Sequence, residues 1–287
     1  MDGIRRGSMN YRECFEEGRR ILTEANIQEA ELDARLLLEH VCGTRRHDLL
    51  VHGDREVTID QVDKYLFVME QRSRHIPLQH LTGTQDFMGL TFQVNKHVLI
   101  PRQDTEILVE EVLKELHDGM RILDMCTGSG CILISLLNYS NGCVGVGADI
   151  SEKALCVAGE NAKRILGDHD VKWIHSDLFE KVEGKFDRIV SNPPYIPSKV
   201  IDTLMPEVRE HEPLSALDGS EDGLFFYRRI VGEAPQYLER GGLLYFEIGY
   251  DQAEDVKYLM EEAGFVEVEV VKDYAGLNRV VYGTYIK

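Results

Sequence analysis

Apolar residues recur at helical spacing through the N-terminal part of the chain, from Tyr11 to about Arg74. Spacings of three and four residues between apolar positions predict amphipathic helices, so this part is predicted to form a small helical bundle. Thr58 and Gln61 form a capping-box pattern, which predicts that a helix begins directly after Thr58. The apolar positions of the bundle include Ala30, Leu32, Leu36, Leu37, Leu38 and Val41, followed by Val62, Leu66, Val68 and Met69.

The pattern changes between residues 77 and 98, where short extended pieces replace the helical spacing. Residues 87–90 and 91–94 are the candidate strands, and Gly83 and Gly89 interrupt this part of the chain. Short apolar pieces separated by glycine are typical of a β-hairpin. We therefore predict a hairpin that joins two domains.

Beyond residue 100, short apolar runs alternate with helical stretches, which is typical of a doubly wound α/β domain. Six candidate strands can run parallel through helical crossovers. The last two are joined by a short connection around Ala275 and Gly276, so the final strand is expected to run antiparallel. The seven candidate strands are residues 121–125, 144–150, 171–175, 186–191, 242–248, 265–271 and 279–285.

The charge balance and the cysteines restrict the class of protein. The formal net charge is −18, whereas proteins that grip nucleic acid usually present a basic face to the phosphates, so a nucleic-acid partner is disfavoured. The cysteines form no CxxC pair and the histidines no HExxH motif, so we expect reduced thiols and no metal. No apolar run approaches the roughly 18 residues that a membrane helix needs. We expect a cytoplasmic protein with no membrane partner.

The first strand of the α/β part runs into a glycine-containing loop and then into an apolar helix. Such a turn lets the backbone approach a ligand at the N-terminus of the helix, although a tight turn without any ligand has the same appearance. The loop lacks the third glycine of the dinucleotide fingerprint and the lysine of a phosphate-binding loop. Its candidate cofactor-binding residues are Cys126, Thr127, Gly128, Ser129 and Gly130.

Carboxylates end the strands around this loop. Asp149 follows Asp124 at close to the spacing of about 20 residues at which nucleotide sites place a carboxylate on the ribose hydroxyls. Asp177 and Leu178 would face an adenine, with Asp177 accepting from its amine and Leu178 covering the ring. A site with carboxylates and no phosphate-binding lysine suits a ligand in which adenosine carries an amino acid and a sulfonium cation. We therefore predict that the cofactor is S-adenosylmethionine. Asp124 could equally cap the loop, and Asp177 could equally cap the next segment.

The segment Asn192-Pro193-Pro194-Tyr195 follows the strand at 186–191, at the carboxyl end where open α/β sheets bind ligands. Its two prolines hold a stiff extended turn and keep Asn192 out of the helical region. The Asn192 side-chain oxygen and the Pro193 carbonyl can accept both hydrogens of a planar NH₂ group, while Tyr195 offers it a flat face. We expect methyl transfer to an amide or amino nitrogen here; the alternative is a proline-rich surface turn.

Together these residues resemble the HemK-like family, the release-factor glutamine methyltransferases. The resemblance extends from about Glu29 to the C-terminus. Cys126 stands where glycine is usual in this family, and Gln103 stands where proline is common. Besides the loop at 126–130 and the segment at 192–195, the resemblance includes Leu99-Ile100-Pro101-Arg102, Asp104-Thr105-Glu106, Glu212-Pro213, Ala216-Leu217, Asp222-Gly223-Leu224 and Asp273-Tyr274-Ala275-Gly276.

The resemblance implies a seven-stranded Rossmann-like methyltransferase domain at residues 101–287. We predict a hairpin linker at 77–100 and a helical substrate-recognition domain at 9–76, and we interpret residues 1–8 as an expression scar. The implied substrate is the glutamine of the Gly-Gly-Gln motif in class 1 peptide chain release factors, and the implied product is N5-methylglutamine. Arg102 and Glu106 would lie near cofactor and substrate, although a structural salt bridge at a domain junction fits them equally.

Two other functions fit parts of the sequence. Asn-Pro-Pro-Tyr also suits enzymes that methylate adenine N6 or another exocyclic amine of a flipped base. The acidic balance and the absence of a Lys/Arg cluster disfavour that reading. A non-catalytic scaffold that binds S-adenosylmethionine is disfavoured by the intact Asn192–Tyr195 segment, because a binding protein has no use for a nitrogen clamp.

Overall fold

The computed structural model describes residues 9–167, 169 and 171–287, and the interpretation of residues 1–8 as an expression scar lies outside them. The chain divides into two compact units. The first unit comprises the chain as far as Gly83 together with Pro206–His211. The second comprises Thr84–Met205 together with Glu212–Lys287.

Helices dominate the first unit, as the apolar spacing predicts. The predicted cap is confirmed, because Thr58 Oγ1 accepts the N–H of Gln61 and Gln61 Oε1 accepts the N–H of Thr58, each at 3.3 Å. Tyr65 and Met69, on the helix that follows, are fully buried in the core of the bundle. The elements are β1 (Met9–Asn10), α1 (Tyr11–Glu24), α2 (Ala30–Cys42), α3 (Arg46–Val51), β2 (Glu56–Val57), α4 (Ile59–Ser73) and α5 (Leu78–Thr82).

A buried ion cluster fastens the segment Pro206–His211 within this unit. Arg72 Nε donates to Asp33 Oδ2 at 2.7 Å, and Arg72 Nη2 donates to Glu207 Oε1 at 3.1 Å. The same Glu207 oxygen lies 3.0 Å from His75 Nδ1. Arg72 and Asp33 are both buried, so loss of Arg72 would leave the Asp33 carboxylate without its partner in the interior.

The hairpin forms, but its strands begin and end elsewhere than predicted. The strands are β3 (Thr84–Phe87) and β4 (Leu90–Gln93), and they pair antiparallel. The predicted extended piece at 87–90 is wrong, because Met88 and Gly89 turn the chain with φ of +51° and +70°. Residues 78–82, at the start of the predicted linker, form the short helix α5.

The second unit is built on a seven-stranded sheet, which confirms the predicted fold class. The strands are β5 (Arg121–Met125), β6 (Val144–Asp149), β7 (Val171–His175), β8 (Phe186–Ser191), β9 (Leu238–Glu247), β10 (Phe265–Lys272) and β11 (Asn278–Tyr285). Their order is β10-β11-β9-β8-β5-β6-β7, and β11 pairs antiparallel with both β10 and β9, as expected of the final strand. Strand β9 starts four residues before the predicted 242, because Gly241 and Gly242 do not end the pairing and Leu238 already pairs with Phe186.

Seven α-helices follow the hairpin in the described part of the chain. They are α6 (Glu106–Lys114), α7 (Cys131–Asn138), α8 (Glu152–Leu166), α9 (Ser198–Ile201), α10 (Pro206–His211, part of the first unit), α11 (Phe225–Glu233) and α12 (Ala253–Glu262). Phe87 and Phe92 of the hairpin are buried in one core cluster with residues of α6 and α7. In the described part of the chain, none of the helices is long and apolar enough to cross a membrane.

The sheet topology gathers the predicted site residues at one edge. Strands β8, β5, β6 and β7 are parallel neighbours, so their carboxyl ends lie side by side. The loop after Met125, the carboxylate of Asp149, the turn after His175 and the segment after Ser191 therefore follow four adjacent strand ends. This is the edge at which open α/β sheets bind ligands.

Candidate active site

Asp124 stabilises the loop after β5 through hydrogen bonds. Its Oδ2 accepts the Thr127 hydroxyl at 2.6 Å and the N–H of Leu133 at 3.3 Å. Burial raises the pKa of Asp124 to about 7, and these two hydrogen bonds oppose that rise. Asp124 is fully buried and does not line the cavity described below, so its contacts are those of a loop brace.

The loop depends on left-handed backbone at three positions. Cys126, Gly128 and Gly130 have φ of +62°, +56° and +78°. A Cβ on Gly130 would also lie within 3.1 Å of Ala158 and Trp173, so glycine is required there for space as well as for conformation. Cys126 is the exception, since a Cβ in the left-handed region is strained.

Asp149 lies at the end of β6 and is hydrogen-bonded to the same loop. Its Oδ2 accepts the N–H of Gly128 at 2.9 Å, and its Oδ1 accepts the N–H of Ser151 at 2.8 Å. Burial raises the pKa of the Asp149 carboxyl, while the bonds from these backbone groups lower it. Each oxygen of a carboxylate can accept a second hydrogen bond, so Asp149 remains able to bind a ligand hydroxyl.

Asp177 and Leu178 follow β7 and also line the cavity. Asp177 Oδ1 accepts from Arg229 Nη1 at 2.8 Å, an ion pair that the sequence did not suggest. Leu178 is buried with φ of +48°, and the Ser176 hydroxyl donates to its carbonyl at 2.7 Å. The turn thus directs an apolar side chain and a paired carboxylate to the same wall.

The segment after β8 contributes Asn192 and Pro194 to the cavity wall. Asn192 Nδ2 lies 3.5 Å from Thr105 Oγ1. Among the hydrogen bonds between described residues, none uses the Pro193 carbonyl. Tyr195 is not among the lining residues, and its hydroxyl donates to Glu247 Oε1 at 3.3 Å, so the stacking role expected of its ring stays a prediction.

A second segment of chain supports this turn from behind. Gln252 Nε2 donates to the Tyr195 carbonyl at 3.0 Å, and the N–H of Gly219 donates to the Ile196 carbonyl at 2.8 Å. A Cβ on Gly223 would overlap the Tyr195 carbonyl, and one on Gly219 would come within 2.7 Å of the Tyr195 backbone. The glycines of this segment are therefore needed for its close approach to the turn.

These elements enclose a cavity of about 430 Å³, within the range of small-molecule sites. Phe225, Phe226 and Arg229 at the start of α11 line it, and sequence reasoning missed all three because their spacing matches that of an ordinary packed helix. Further lining residues from the predicted loop are Cys126, Thr127, Gly128 and Ser129, whereas Gly130, like Pro193, is outside the lining.

The two charged residues suggested by the family resemblance have different surroundings. Arg102 lines the cavity, and its Nη2 donates to both oxygens of the buried Glu212 at 2.7 and 2.8 Å. Glu106 instead accepts the N–H of Met88 at 2.6 Å, in the turn of the hairpin. Arg102 is thus held at the wall by an ion pair, while Glu106 fixes the hairpin.

Both parts of the chain match known protein families. Residues 13–83 match the PrmC N-terminal domain, and residues 102–207 match the methyltransferase small domain.

Full-length relatives extend the match to most of the chain. A release factor glutamine methyltransferase from Caulobacter vibrioides is 43% identical over 265 residues, covering 91% of this chain and 92% of the relative. One from Clostridium botulinum is 40% identical over 278 residues, covering 95% and 98%. Among solved structures, a methyltransferase from Pyrococcus furiosus is 16% identical with a TM-score of 0.52, covering 80% of this chain and all of the other, which shows the shared fold.

Proposed function

The chain belongs to the release factor glutamine methyltransferases, and we propose that it methylates the glutamine of the Gly-Gly-Gln motif in class 1 peptide chain release factors. The methyl donor would be S-adenosylmethionine, and the product N5-methylglutamine. The observation that carries the proposal is the position of Asn192, which lines the same cavity as residues 126–129 of the loop. Such a substrate would place the enzyme in the cytoplasm.

The residues of the cavity fit this cofactor. Asp149 has lone pairs left for the ribose hydroxyls, and Leu178, Phe225 and Phe226 offer apolar surface to the adenine. Among the described residues that line the cavity there is no lysine, so a phosphate chain would lack its usual partner. The lining carboxylates suit a ligand with a positively charged sulfonium and ammonium group.

Bound S-adenosylmethionine supplies a methyl group on a sulfonium sulfur that becomes a neutral thioether when the methyl group leaves. The acceptor nitrogen forms the new bond to carbon and gives up one proton. An amide nitrogen is a weak nucleophile, because its lone pair is delocalised into the carbonyl. The protein's task is therefore to orient the NH₂ group and stabilise the positive charge that develops on it.

Asn192 is suited to that task. Its side-chain oxygen can accept one hydrogen of the glutamine NH₂ group, and the Pro193 carbonyl, which is not used by another described residue, can accept the second. The prolines and the contacts of Tyr195 fix the backbone that carries both acceptors, so this backbone needs little reorganisation during the reaction. The first unit, which contains the PrmC N-terminal match, would bind the release factor.

Mass spectrometry tests this function directly. A class 1 release factor is incubated with the enzyme and S-adenosylmethionine, and the peptide that contains Gly-Gly-Gln is examined. We expect a mass increase of one methyl group, located on the glutamine. A release factor with that glutamine replaced by alanine is the control and should gain no methyl group. Methylation elsewhere, or of both proteins equally, would refute the substrate assignment.

A further inference from the structure

Two buried polar side chains adjoin the segment at 192–195: Thr105, which also lines the cavity, contacts Asn192, and Glu247 contacts Tyr195. Thr105 and Glu247 are each 2% exposed. Glu247 ends strand β9, next to β8 in the sheet, and Thr105 closes the short helical turn Gln103–Thr105. One Glu247 oxygen accepts the Tyr195 hydroxyl at 3.3 Å, whereas Oε2 is buried and has no hydrogen-bond partner among the described residues.

The directions of the hydrogen bonds in this cluster follow from the groups. An ionised carboxylate can only accept, and a hydroxyl has a single proton to donate. Burial raises the pKa of the Glu247 carboxyl, and the Thr105 side chain is among the neighbouring groups that lower it. Asn192 Nδ2 lies 3.5 Å from Thr105 Oγ1, so the NH₂ end of the Asn192 amide faces the Thr105 hydroxyl, which accepts from it.

This matters because the two ends of an asparagine amide have nearly the same shape but opposite hydrogen-bonding character. Because Nδ2 of Asn192 faces Thr105, its Oδ1 is directed away from Thr105. Asn192 lines the cavity. A flipped amide would present N–H groups to the N–H groups of the acceptor. That arrangement would lose the attraction that orients the acceptor nitrogen and stabilises its developing charge.

We propose that Thr105, backed by the buried Glu247, is a positioning residue that fixes the Asn192 amide with its oxygen toward the acceptor nitrogen. The proposal rests on the proposed function, in which Asn192 is the clamp for the substrate amide. Glu247 sets the direction of the Thr105 proton, and Thr105 sets the orientation of Asn192. The segment at 192–195 thus depends on two residues from other parts of the chain.

Matched substitutions separate the effect of the Thr105 hydroxyl on the methylation rate from the effect of its side-chain volume. Thr105→Val keeps the shape and removes the hydroxyl, so we expect the turnover rate to fall about tenfold or more with the affinity for S-adenosylmethionine unchanged. Thr105→Ser keeps the hydroxyl and should retain most of the rate. Glu247→Gln, whose amide can donate to Thr105, should also lower the rate. Equal rates in the Val variant and the wild type would overturn the proposal.

A double-mutant cycle excludes a purely structural effect. In Asn192→Ala there is no amide to orient, so adding Thr105→Val should cost little further activity, whereas a packing defect would lower the rate in both backgrounds. Independent, additive losses would therefore contradict the proposed positioning role. The cycle is measured with labelled S-adenosylmethionine and a release factor as the acceptor.

Nuclear magnetic resonance of the side-chain amide of Asn192 tests orientation without any acceptor. In enzyme labelled with ¹⁵N-asparagine, Thr105→Val should shift the Asn192 NH₂ signals and accelerate their exchange with water, and Thr105→Ser should not. Signals unchanged by Thr105→Val would refute the positioning role. If the wild type failed to label release factor, the proposed function would fail, while this spectrum would still decide whether Thr105 orients Asn192.

Discussion

The carboxylate of Asp149 accepts the backbone N–H of Gly128 at 2.9 Å, so the residue predicted to hold the cofactor ribose also holds the cofactor loop. The contact joins the end of β6 to the loop that follows β5. We therefore expect Asp149 to affect cofactor affinity in two ways, by direct contact with the ribose and by fixing Gly128. Its second oxygen is fixed by Ser151, which keeps the carboxylate in one orientation.

Replacing Asp149 with alanine should weaken the binding of S-adenosylmethionine. Losing a hydrogen bond to a charged group costs on the order of 1.5–3 kcal/mol, which corresponds to a roughly tenfold to hundredfold weaker affinity. Isothermal titration calorimetry of wild type and Asp149→Ala measures the change. Circular dichroism of the cofactor-free variant is the control for folding. Unchanged affinity in a folded variant would remove Asp149 from the binding site.

The left-handed backbone of Cys126 predicts an unusual order of stability among small substitutions. Cys126→Gly and Cys126→Ala both remove the thiol, but only alanine keeps a Cβ at φ of +62°. We expect the glycine variant to be about 1 kcal/mol more stable than the alanine variant, although glycine elsewhere usually destabilises. Urea unfolding of the two variants measures the difference. A more stable alanine variant would show that the loop carries no strain at this position.

The buried carboxyl of Asp124 predicts a pH-dependent stability of the cofactor-free enzyme. Its folded-state pKa of about 7 lies above the ordinary value, so its contribution is complete below about pH 4 and is lost as the pH rises to about 7. The slope is about 1.4 kcal/mol of unfolding free energy per pH unit within that window.

Asp124→Asn is the matched variant for this test, because an asparagine stays neutral at every pH. The difference in unfolding free energy between the variant and the wild type should grow in favour of the variant from about pH 4 to about pH 7 and then level off. Denaturant unfolding across this range gives the difference, in which the other carboxyl groups cancel. A constant difference would mean that Asp124 titrates normally.

Periodicity predicted the seven strands and the helical bundle. Strands such as residues 121–125 are recognisable as short apolar runs, and parallel strands joined by helical crossovers allow few alternative arrangements. It failed at the hairpin, where Met88 adopts a left-handed conformation that its residue type does not suggest. Local conformations of this kind are imposed by tertiary contacts, such as the bond from the N–H of Met88 to Glu106.

The sequence predicted residues of the candidate site only where they follow strand ends. Asp149, Asp177 and Asn192 line one cavity because the sheet aligns the carboxyl ends of parallel strands, which the sequence pattern already implied. Arg229 and Glu247 were not predictable, since their partners are 52 residues away in the chain and no local pattern marks such a pairing. Thr105 stood in a quoted motif, but its contact with Asn192 required the folded chain.

Removing the first unit should separate cofactor binding from substrate recognition. The hairpin strands belong to the second unit, and Asn161 bonds Gln93 on both its N–H and its carbonyl, so a fragment should begin at Thr84 rather than near Val98. We expect residues 84–287 to bind S-adenosylmethionine and to methylate intact release factor about tenfold more slowly or worse. Calorimetry and methylation rates measure the two properties.

A control for the fragment uses the full-length chain. Glu207→Gln weakens the link between the segment Pro206–His211 and Arg72 without removing any helix. If the fragment were slow only because this segment had lost its partners, the full-length variant would be equally slow. Full activity of the fragment on intact release factor would assign another role to the helical unit.

Asn192→Ala should preserve the fold and most of the affinity for S-adenosylmethionine while abolishing most methyl transfer. The side chain of Asn192 is partly exposed in the cavity and its one hydrogen bond, to Thr105, is long, so its loss costs the fold little. By analogy with removal of one oxyanion-hole group, the rate should fall by about 10²–10³-fold. Cofactor affinity by calorimetry and the rate of methylation of release factor separate binding from catalysis.

The acceptor preference of the wild-type enzyme completes this test. A glutamine side chain can enter the cavity alone, whereas a flipped adenine brings a phosphate backbone that needs a basic groove, and the chain carries a net charge of −18. Labelled S-adenosylmethionine should therefore label a release factor bearing Gly-Gly-Gln and leave adenine-containing DNA unlabelled at equal concentration. If DNA were labelled instead, and Asn192→Ala abolished that labelling, Asn192 would still be the nitrogen clamp but of a nucleic-acid methyltransferase.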